Sequence, residues 1–395
     1  MIPKICFLSA VHRYDDVRIL HKEGRSLAAA GFHVVHLSPA QSPQAPFVED
    51  GVRIRQYQQQ RGLIGRMRNS MALYRLARDE RADAYHCNEP ESWIVGAVVK
   101  FFANWPTKLV FDVHEHYPSR FDEPRSPWIL RRFGSRLVQT LYAILTPSTD
   151  QLIFAKRSVA LDFRGALCPQ EFIFNLGPLW LQHKTIDSVP PRIRELFDGR
   201  PTAMHIGSLS RITGWPQLLR AMARMNHSEM QLLCVGTILE GADTVMAEAR
   251  ELGVDDRIKL IERVPYETVF DYLLCARLGL MLYQPGIQNH VFAFPMKLYD
   301  YMSMGVPVIA PRFAVEVAPI VIEASCGILI DTDSVEQLAE ALDQLCGHPE
   351  QAAAMGRNGR EAIRAKYNWE AEAPKLRRIY SRLIGQPAVT RLTAS

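Results

Sequence analysis

Several things are scarce in this 395-residue chain, and each scarcity closes a route. Its seven cysteines include no Cys-x-x-Cys pair, and the closest two, Cys326 and Cys346, lie 20 positions apart, so neither a zinc cluster nor a disulfide framework is indicated. Free thiols in a reducing compartment are expected. No apolar run reaches the roughly 18 residues a membrane-spanning helix needs. The first one, from Ile5 to Val11, meets His12, Arg13, Asp15 and Asp16 at once, so a first strand is expected there and not a signal peptide. Charge of one sign is also lacking: 46 Lys+Arg against 42 Asp+Glu gives a net +4, too small for a nucleic-acid binder without local clustering. There is no sequence repeat and no low-complexity segment.

What is present is the composition of a folded protein, 48% hydrophobic and 22% charged, at a length that predicts two domains. Short apolar runs alternate with helical patterns. In the first half strands are expected at Lys4–Ser9, His33–Ser38, Ala84–Cys87, Leu109–Asp112 and Ile144–Pro147, with a helix over Val17–Ala30 and a largely buried one over Ser92–Phe102. Between Asn175 and Pro201 turn formers interrupt the pattern, which places a linker there and divides the chain into 1–185 and 186–370. A second alternating series follows, from a strand at Ala203–Ile206 to one at Ile328–Ile330, and beyond Trp369 comes a last helical stretch, Ala371–Leu383. Alternation of this kind implies parallel strands with crossover helices, hence an α/β fold of two doubly wound, Rossmann-like domains. Ligands in such sheets bind beyond the carboxyl ends of the strands, so two such domains would face each other across a cleft.

The most informative segment is Phe294-Pro295-Met296-Lys297-Leu298-Tyr299-Asp300-Tyr301-Met302-Ser303-Met304-Gly305-Val306-Pro307-Val308-Ile309-Ala310. Proline suits the first turn of a helix and Gly305 its end. A helix start offers unpaired N–H groups and the positive end of a dipole, which suit a diphosphate, and Lys297 adds a full charge. One turn on, Asp300 could accept hydrogen bonds from two ribose hydroxyls. The same pattern also fits an ordinary amphipathic helix with a snorkelling lysine and a solvated aspartate, and the spacing does not choose between them.

Other polar residues fall at expected strand ends. His114-Glu115-His116 follows the strand at 109–112 and so should sit at its carboxyl end, and a structural role for His114 stays open. His-x-His also occurs in metal sites, but no Cys cluster or third local histidine supports one, and no metal is expected. His86, His12 and Asp16 also fall at strand ends, with an Asp16–Arg18 pair of structural character as the alternative for the last.

Pro295-x-Lys297-Leu298-Tyr299-Asp300-Tyr301-Met302 closed by Gly305-Val306-Pro307-Val308-Ile309 resembles the nucleotide-sugar signature of glycosyltransferase family 4, whose members have the two-lobed GT-B fold. Asp15-Asp16-Val17-Arg18-Ile19, Phe111-Asp112-Val113-His114-Glu115-His116-Tyr117-Pro118 and Ile206-Gly207-Ser208-Leu209-Ser210-Arg211 are similar to it as well, so the resemblance spans nearly the whole chain. It implies sugar transfer from a nucleoside diphosphate of UDP or GDP type, with retention, and no further cofactor. It also implies that the last helix, within 371–395, completes the first domain. By that resemblance Gly207, Ser208, Arg211, Pro295, Lys297, Leu298 and Asp300 would bind the donor, and His114, Arg211 and Lys297 would be catalytic, His114 contacting the donor sugar or stabilising the transition state; His12, Asp16, His86 and Glu115 would contact the acceptor or sugar, with Glu115 orienting the acceptor hydroxyl. Two departures stand out: Phe292 occupies the first position of the family's Glu-x7-Glu pair, and Thr213 precedes Gly214 where a basic residue is usual. After the first strand, Ser9-Ala10-Val11-His12 replaces a glycine pair.

The first half holds two arginine-rich stretches, one with Arg61, Arg66, Arg68, Arg75, Arg78 and Arg81, the other with Arg125, Arg131, Arg132 and Arg136 around Trp128-Ile129-Leu130. They suit an anionic bilayer or a lipid-diphosphate acceptor, and equally solvated helix faces. The expected role is assembly of a cell-surface polysaccharide or glycolipid, in the cytoplasm or at the inner membrane face. A two-lobed nucleotide-sugar epimerase and a non-catalytic nucleotide-sugar binder are the competing readings.

Overall fold

The computed structural model describes residues 2–118 and 128–387, and the side chains of all of these but 128–131. Two compact units emerge, Met1–Asn175 with Glu370–Ser395, and Leu176–Trp369. The division thus falls at the start of the turn-rich stretch and not at 185. Residues 176–185 are tied to the second unit by specific contacts: Arg360 Nη2 donates to the Gln182 carbonyl at 2.7 Å, and Lys184 pairs with Asp271 at 2.7 Å. A Cβ on Gly177 would stand 2.9 Å from Ser303 Oγ, so this strand of chain lies close against the helix Met296–Met304.

The first unit is built on eight strands: β1 Lys4–Leu8, β2 His33–Ala40, β3 Phe47–Glu49, β4 Val52–Gln58, β5 Ala84–Cys87, β6 Lys108–Val113, β7 Gln151–Phe154 and β8 Gln170–Phe172. Their order is β3-β4-β2-β1-β5-β6-β7-β8, parallel throughout except for β3 against β4. The second unit has β9 Thr202–Ile206, β10 Gln231–Val235, β11 Ile258–Ile261, β12 Leu278–Leu280, β13 Val308–Pro311 and β14 Gly327–Ile330, in the order β11-β10-β9-β12-β13-β14 and all parallel. In each sheet the order reverses beside its first central strand, β1/β5 and β9/β12. That is where a doubly wound sheet leaves a crevice at the carboxyl ends.

Alternation along β1 sends Cys6 and Leu8 to one face and Ile5 and Phe7 to the other. On the Cys6 face, Leu37, Tyr85, Leu109 and Phe111 pack under the helices Gly62–Glu80, Pro90–Phe102 and Trp128–Leu145 through Leu73, Trp93, Val99 and Tyr142. Trp93 stacks on Phe111 with ring centroids 4.0 Å apart, and its Nε1 donates to Thr149 Oγ1 at 2.9 Å, so its one polar atom is satisfied in the core. All seven cysteines are unpaired.

Two sequence expectations need correction. Ile144–Pro147 is not a strand: the helix runs to Leu145 and continues as a 3-10 turn, Thr146–Ser148, and the strand comes later as β7. A four-residue apolar run does not by itself distinguish the two periods. The second concerns Pro90–Phe102, which is buried on one side only; Ile94, Val98, Phe101 and Phe102 are exposed. No described helix is long and apolar enough to cross a membrane.

Candidate functional site

In the first unit a buried ionic cluster forms beneath the carboxyl ends of β1, β5 and β6. Asp16 begins it by capping a π-helical stretch, Val17–Gly24, its Oδ1 accepting from the backbone N–H of Arg18 at 3.0 Å and of Ile19 at 3.2 Å. π-Helical turns are rare and concentrate at functional sites. This one points Arg18 and Glu23 inward. Arg18 makes a two-pronged contact with Asp112 on β6, Nε to Oδ2 at 2.9 Å and Nη2 to Oδ1 at 3.0 Å, and its Nη2 also pairs with Glu23 at 3.0 Å.

Burial opposes ionisation of both carboxyls, but the outcome differs between them. Arg18 and then His114 hold Asp112 well below the usual carboxylate range. For Glu23 burial wins over Arg18, helped by the neighbouring charge of Asp112, and its pKa rises well above the ordinary value. The two carboxyls that share the guanidinium are thus shifted in opposite directions.

His114 lies two residues beyond Asp112, on the same side of the strand, and its Nε2 stands 2.7 Å from Asp112 Oδ2 and 3.1 Å from Arg18 Nε. The ring is thereby oriented with Nδ1 as the nitrogen turned away from the carboxylate. His116 takes a different partner, Asp162 at 3.1 Å, so the two histidines of the His-x-His pair do not converge. His12, whose ring centroid is 5.8 Å from that of His114, pairs with Asp16 at 3.2 Å. Burial alone would lower the His12 pKa, yet Asp16, with Glu89 and Glu115 nearby, raises it to about 9. Glu89 also organises the loop after β1, accepting hydrogen bonds from the backbone N–H groups of Ala10 and Val11. A carboxylate thus shapes the loop that a glycine pair would otherwise form. Glu115 is exposed beside these residues.

His86, expected as an acceptor or sugar contact, is instead fully buried. It stacks against Phe7 at 4.4 Å, and its Nδ1 is 2.6 Å from Tyr380 Oη on the helix Trp369–Ile384. Its alternation on β5 carries it inward, away from the strand end.

In the second unit the corresponding loop follows β9. Gly207 adopts φ +94°, a conformation L side chains rarely take, and a Cβ there would stand 3.8 Å from Lys297 Nζ. The Lys297 ammonium therefore sits over bare backbone. It lies 5.4 Å from the Tyr283 ring, and no carboxylate among the described residues pairs with it. Loss of solvation lowers its pKa to about 8, and the same charge, after burial, helps hold His205 neutral with a pKa near 3. A half-buried cation on the first turn of a helix and a glycine turn thus lie together, a combination suited to an anion.

The helix Met296–Met304 begins one residue later than expected, with Pro295 at the cap position, and closes on Gly305 at φ +72°. Leu298 turns its side chain into the core. Asp300 is buried, and Tyr266 Oη donates to its Oδ1 at 2.7 Å. Tyr301 anchors the helix to the sheet: its hydroxyl accepts from Ile206 N at 3.2 Å and lies 3.1 and 3.2 Å from the carbonyls of Met204 and Leu280.

Arg211 is exposed and lies over the Trp215 ring at 4.9 Å, with Glu248 a loose partner at 3.9 Å; Ser208 is exposed beside it. Thr213 holds its own loop together, since its Oγ1 accepts from Ser210 N at 2.8 Å and bonds the carbonyls of Ser208 and Ser210. The next residue must be glycine, since at φ +83° a Cβ on Gly214 would be 2.5 Å from the Leu282 carbonyl. Phe292 closes the short helix Gln288–Val291.

Sequence reasoning missed Asp112, Glu23, Tyr266 and Tyr380. For Asp112 a signal was present, the i, i+2 spacing from His114 that puts both on one face of a strand. For the others the partners are far apart in sequence and no local pattern marks them.

Residues 18–158 match the family described as Glycosyl transferase 4-like domain, and residues 191–362 the family described as Glycosyl transferases group 1. Among curated proteins, the lipopolysaccharide core biosynthesis mannosyltransferase LpcC of Rhizobium leguminosarum is 23% identical over 80% of this chain and 83% of its own length. The GDP-mannose-dependent alpha-(1-6)-phosphatidylinositol monomannoside mannosyltransferase of Mycolicibacterium smegmatis is 23% identical over 69% of this chain and 70% of its own. The chain spans less than half the length of other curated relatives, for example 39% of the D-inositol 3-phosphate glycosyltransferase of Corynebacterium kroppenstedtii, at 28% identity over 44% of this chain. Among solved structures, sucrose-phosphate synthase of Thermosynechococcus elongatus superposes with a TM-score of 0.75 at 19% identity, over 96% of this chain and 99% of that one. HepE of Anabaena with UDP-glucose superposes with a TM-score of 0.71 at 16% identity, over 96% and 99%.

Proposed function

We infer the reaction from family: this chain belongs to the group 1 glycosyl transferases of family 4, with the GT-B fold, and we propose that it moves a sugar from a nucleoside diphosphate to a saccharide or lipid-linked acceptor, with retention. The observation that carries this reading is Lys297, a desolvated ammonium on the first turn of a helix, over the bare backbone of Gly207 and with no carboxylate partner among the described residues. A diphosphate supplies the missing anion. When the sugar–phosphate bond breaks, negative charge grows on the leaving diphosphate, and a cation and helix dipole already in place there lower the barrier without reorganising. Arg211, exposed on its loop, adds a second charge; Gly207, Ser208 and the backbone N–H groups that follow Pro295, through Leu298, form the rest of the donor's phosphate contacts. Asp300, fixed by Tyr266, accepts from the ribose.

On the first unit, His114 contacts the donor sugar and Glu115 orients the acceptor hydroxyl, with His12 and Asp16 shaping the same loop. With retention, the acceptor enters on the leaving-group face and its proton passes to the departing phosphate, so no essential general base is required. The named activities of the Rhizobium and Mycolicibacterium relatives support a cell-surface glycolipid or polysaccharide as product; the GDP-mannose of the latter and the UDP-glucose bound to HepE support a donor of GDP or UDP type.

Thermal-shift screening against nucleoside diphosphates and their sugars tests the donor half. A ligand at about 100 times its Kd adds about 2.7 kcal/mol to stability, which such a screen detects. No shift with any of them would remove the proposal. The second reading, a binder without turnover, rests on Phe292 and Thr213; a nucleotide that binds while no donor is hydrolysed or transferred would select it.

A further inference from the structure

We propose that the outer face of the three-helix layer in the first unit docks on an anionic lipid bilayer. The inference deepens the lipid-linked acceptor reading, but the surface is argued independently of it. The helix Gly62–Glu80 turns Gly65, Asn69, Leu73 and Ala77 inward, while its outward side carries Leu63, Ile64, Met67 and Met71, with Leu63 83% and Met67 75% exposed. The neighbouring helix Pro90–Phe102 repeats this with Ile94, Val98, Phe101 and Phe102, and Trp128–Leu145 with Phe133, Leu137 and Ile144. Each set follows helical spacing, so each is a stripe and not a scatter. Exposed apolar residues scattered singly need no explanation, whereas adjacent stripes on packed helices do.

Charge selects the partner. On the described parts of these helices the arginines are Arg66, Arg68, Arg75, Arg78, Arg132 and Arg136, against exposed or half-exposed carboxylates only at Asp79 and Glu91. Two copies of so basic a face would repel each other, which argues against self-association, while an anionic surface attracts it. Apolar side chains flanked by arginine suit insertion at the headgroup level. Leu63, Ile64 and Met67 stand at the start of their helix, close after β4, and so near the carboxyl edge of the sheet, where His114 also lies. Docking there would present the acceptor side of the unit to the lipid surface. Of the residues named from sequence, Arg66, Arg68 and Arg132 belong to this face; Arg125 lies outside the described residues, and Trp128 and Arg131 outside the described side chains.

Flotation with vesicles of phosphatidylcholine alone and with added phosphatidylglycerol tests this. The full chain should float only with the phosphatidylglycerol vesicles, and less as salt is raised. L63E/M67E should cut binding at least tenfold, and R66E/R68E severalfold, with unchanged melting temperatures because all four side chains are exposed. Unchanged binding by L63E/M67E, or no binding to phosphatidylglycerol at low salt, overturns the proposal. So does sedimentation showing a dimer that L63E/M67E dissociates. Nucleotide binding, read separately, reports on the donor site, so failure of docking and failure of the glycosyltransferase reading remain distinguishable.

Discussion

Asp112 Oδ2 stands 2.7 Å from His114 Nε2 and 2.9 Å from Arg18 Nη2, so one buried carboxylate both orients the histidine and neutralises the arginine. The proposed sugar contact is therefore only as well placed as this ion pair. Replacing Asp112 by Asn should lower kcat while leaving nucleotide affinity on the second unit intact. Breaking a buried pair costs about 3–5 kcal/mol. Glu23 still faces the guanidinium, so the loss by urea denaturation should sit near the lower end, about 3 kcal/mol. A variant with wild-type turnover would remove the orienting role.

Lys297→Met should weaken nucleoside-diphosphate binding. Hydrogen bonds to charged groups contribute about 1.5–3 kcal/mol, or roughly 10- to 150-fold in Kd. The free lysine titrates near 8, and a bound diphosphate favours its charged form, so affinity measured by calorimetry should be flat below pH 8 and fall above it. Lys297→Arg, charged at every accessible pH, should flatten that dependence; an identical pH profile in both proteins would place the titration elsewhere.

The His12–Asp16 pair predicts a pH effect on stability. The His12 pKa is raised in the folded state to about 9 from 6.5, so its stabilisation is complete below pH 6.5 and disappears as the pH rises through 9. Melting temperature in that window should fall more steeply for the wild type than for His12→Gln. Parallel curves would show that the pair contributes nothing measurable.

Tyr301→Phe keeps the ring on the sheet and removes only the hydroxyl that bridges β9 and β12. Ile206 N–H is then left buried without its partner, at a cost of about 1–3 kcal/mol. Denaturant midpoints check this, and donor affinity should drop with it if the helix Met296–Met304 loosens.

How much of this was legible in the chain itself varied with range. Period-two and helical patterns marked most of the central strands in both units, and Pro295 with Gly305 bracketed the helix Met296–Met304 to within one residue. The failures were of two kinds. At Ile144–Pro147 a short apolar run fits either period, and only the preceding helix, whose pattern extends back to Trp128, resolves it. His86 looked available because it ends a strand; its ring is held instead by Tyr380, almost 300 positions away, a relation no local pattern encodes. Thr213 was conspicuous as a missing cation, whereas its hydroxyl holds the loop in shape.

Tyr380 also bears on how the protein is made. Its hydroxyl and ring complete the wall around His86, yet it leaves the ribosome about 200 residues after Asn175, about 10–40 s later at typical synthesis rates. Throughout that interval the nascent first unit carries His86, Glu23 and Asp112 beside an unfilled hydrophobic slot, while the second unit is synthesised and can fold. The amino-terminal half is thus translated first and finished last, and a stop codon shortly before position 380 would deprive it of that wall while leaving the second unit's sequence whole.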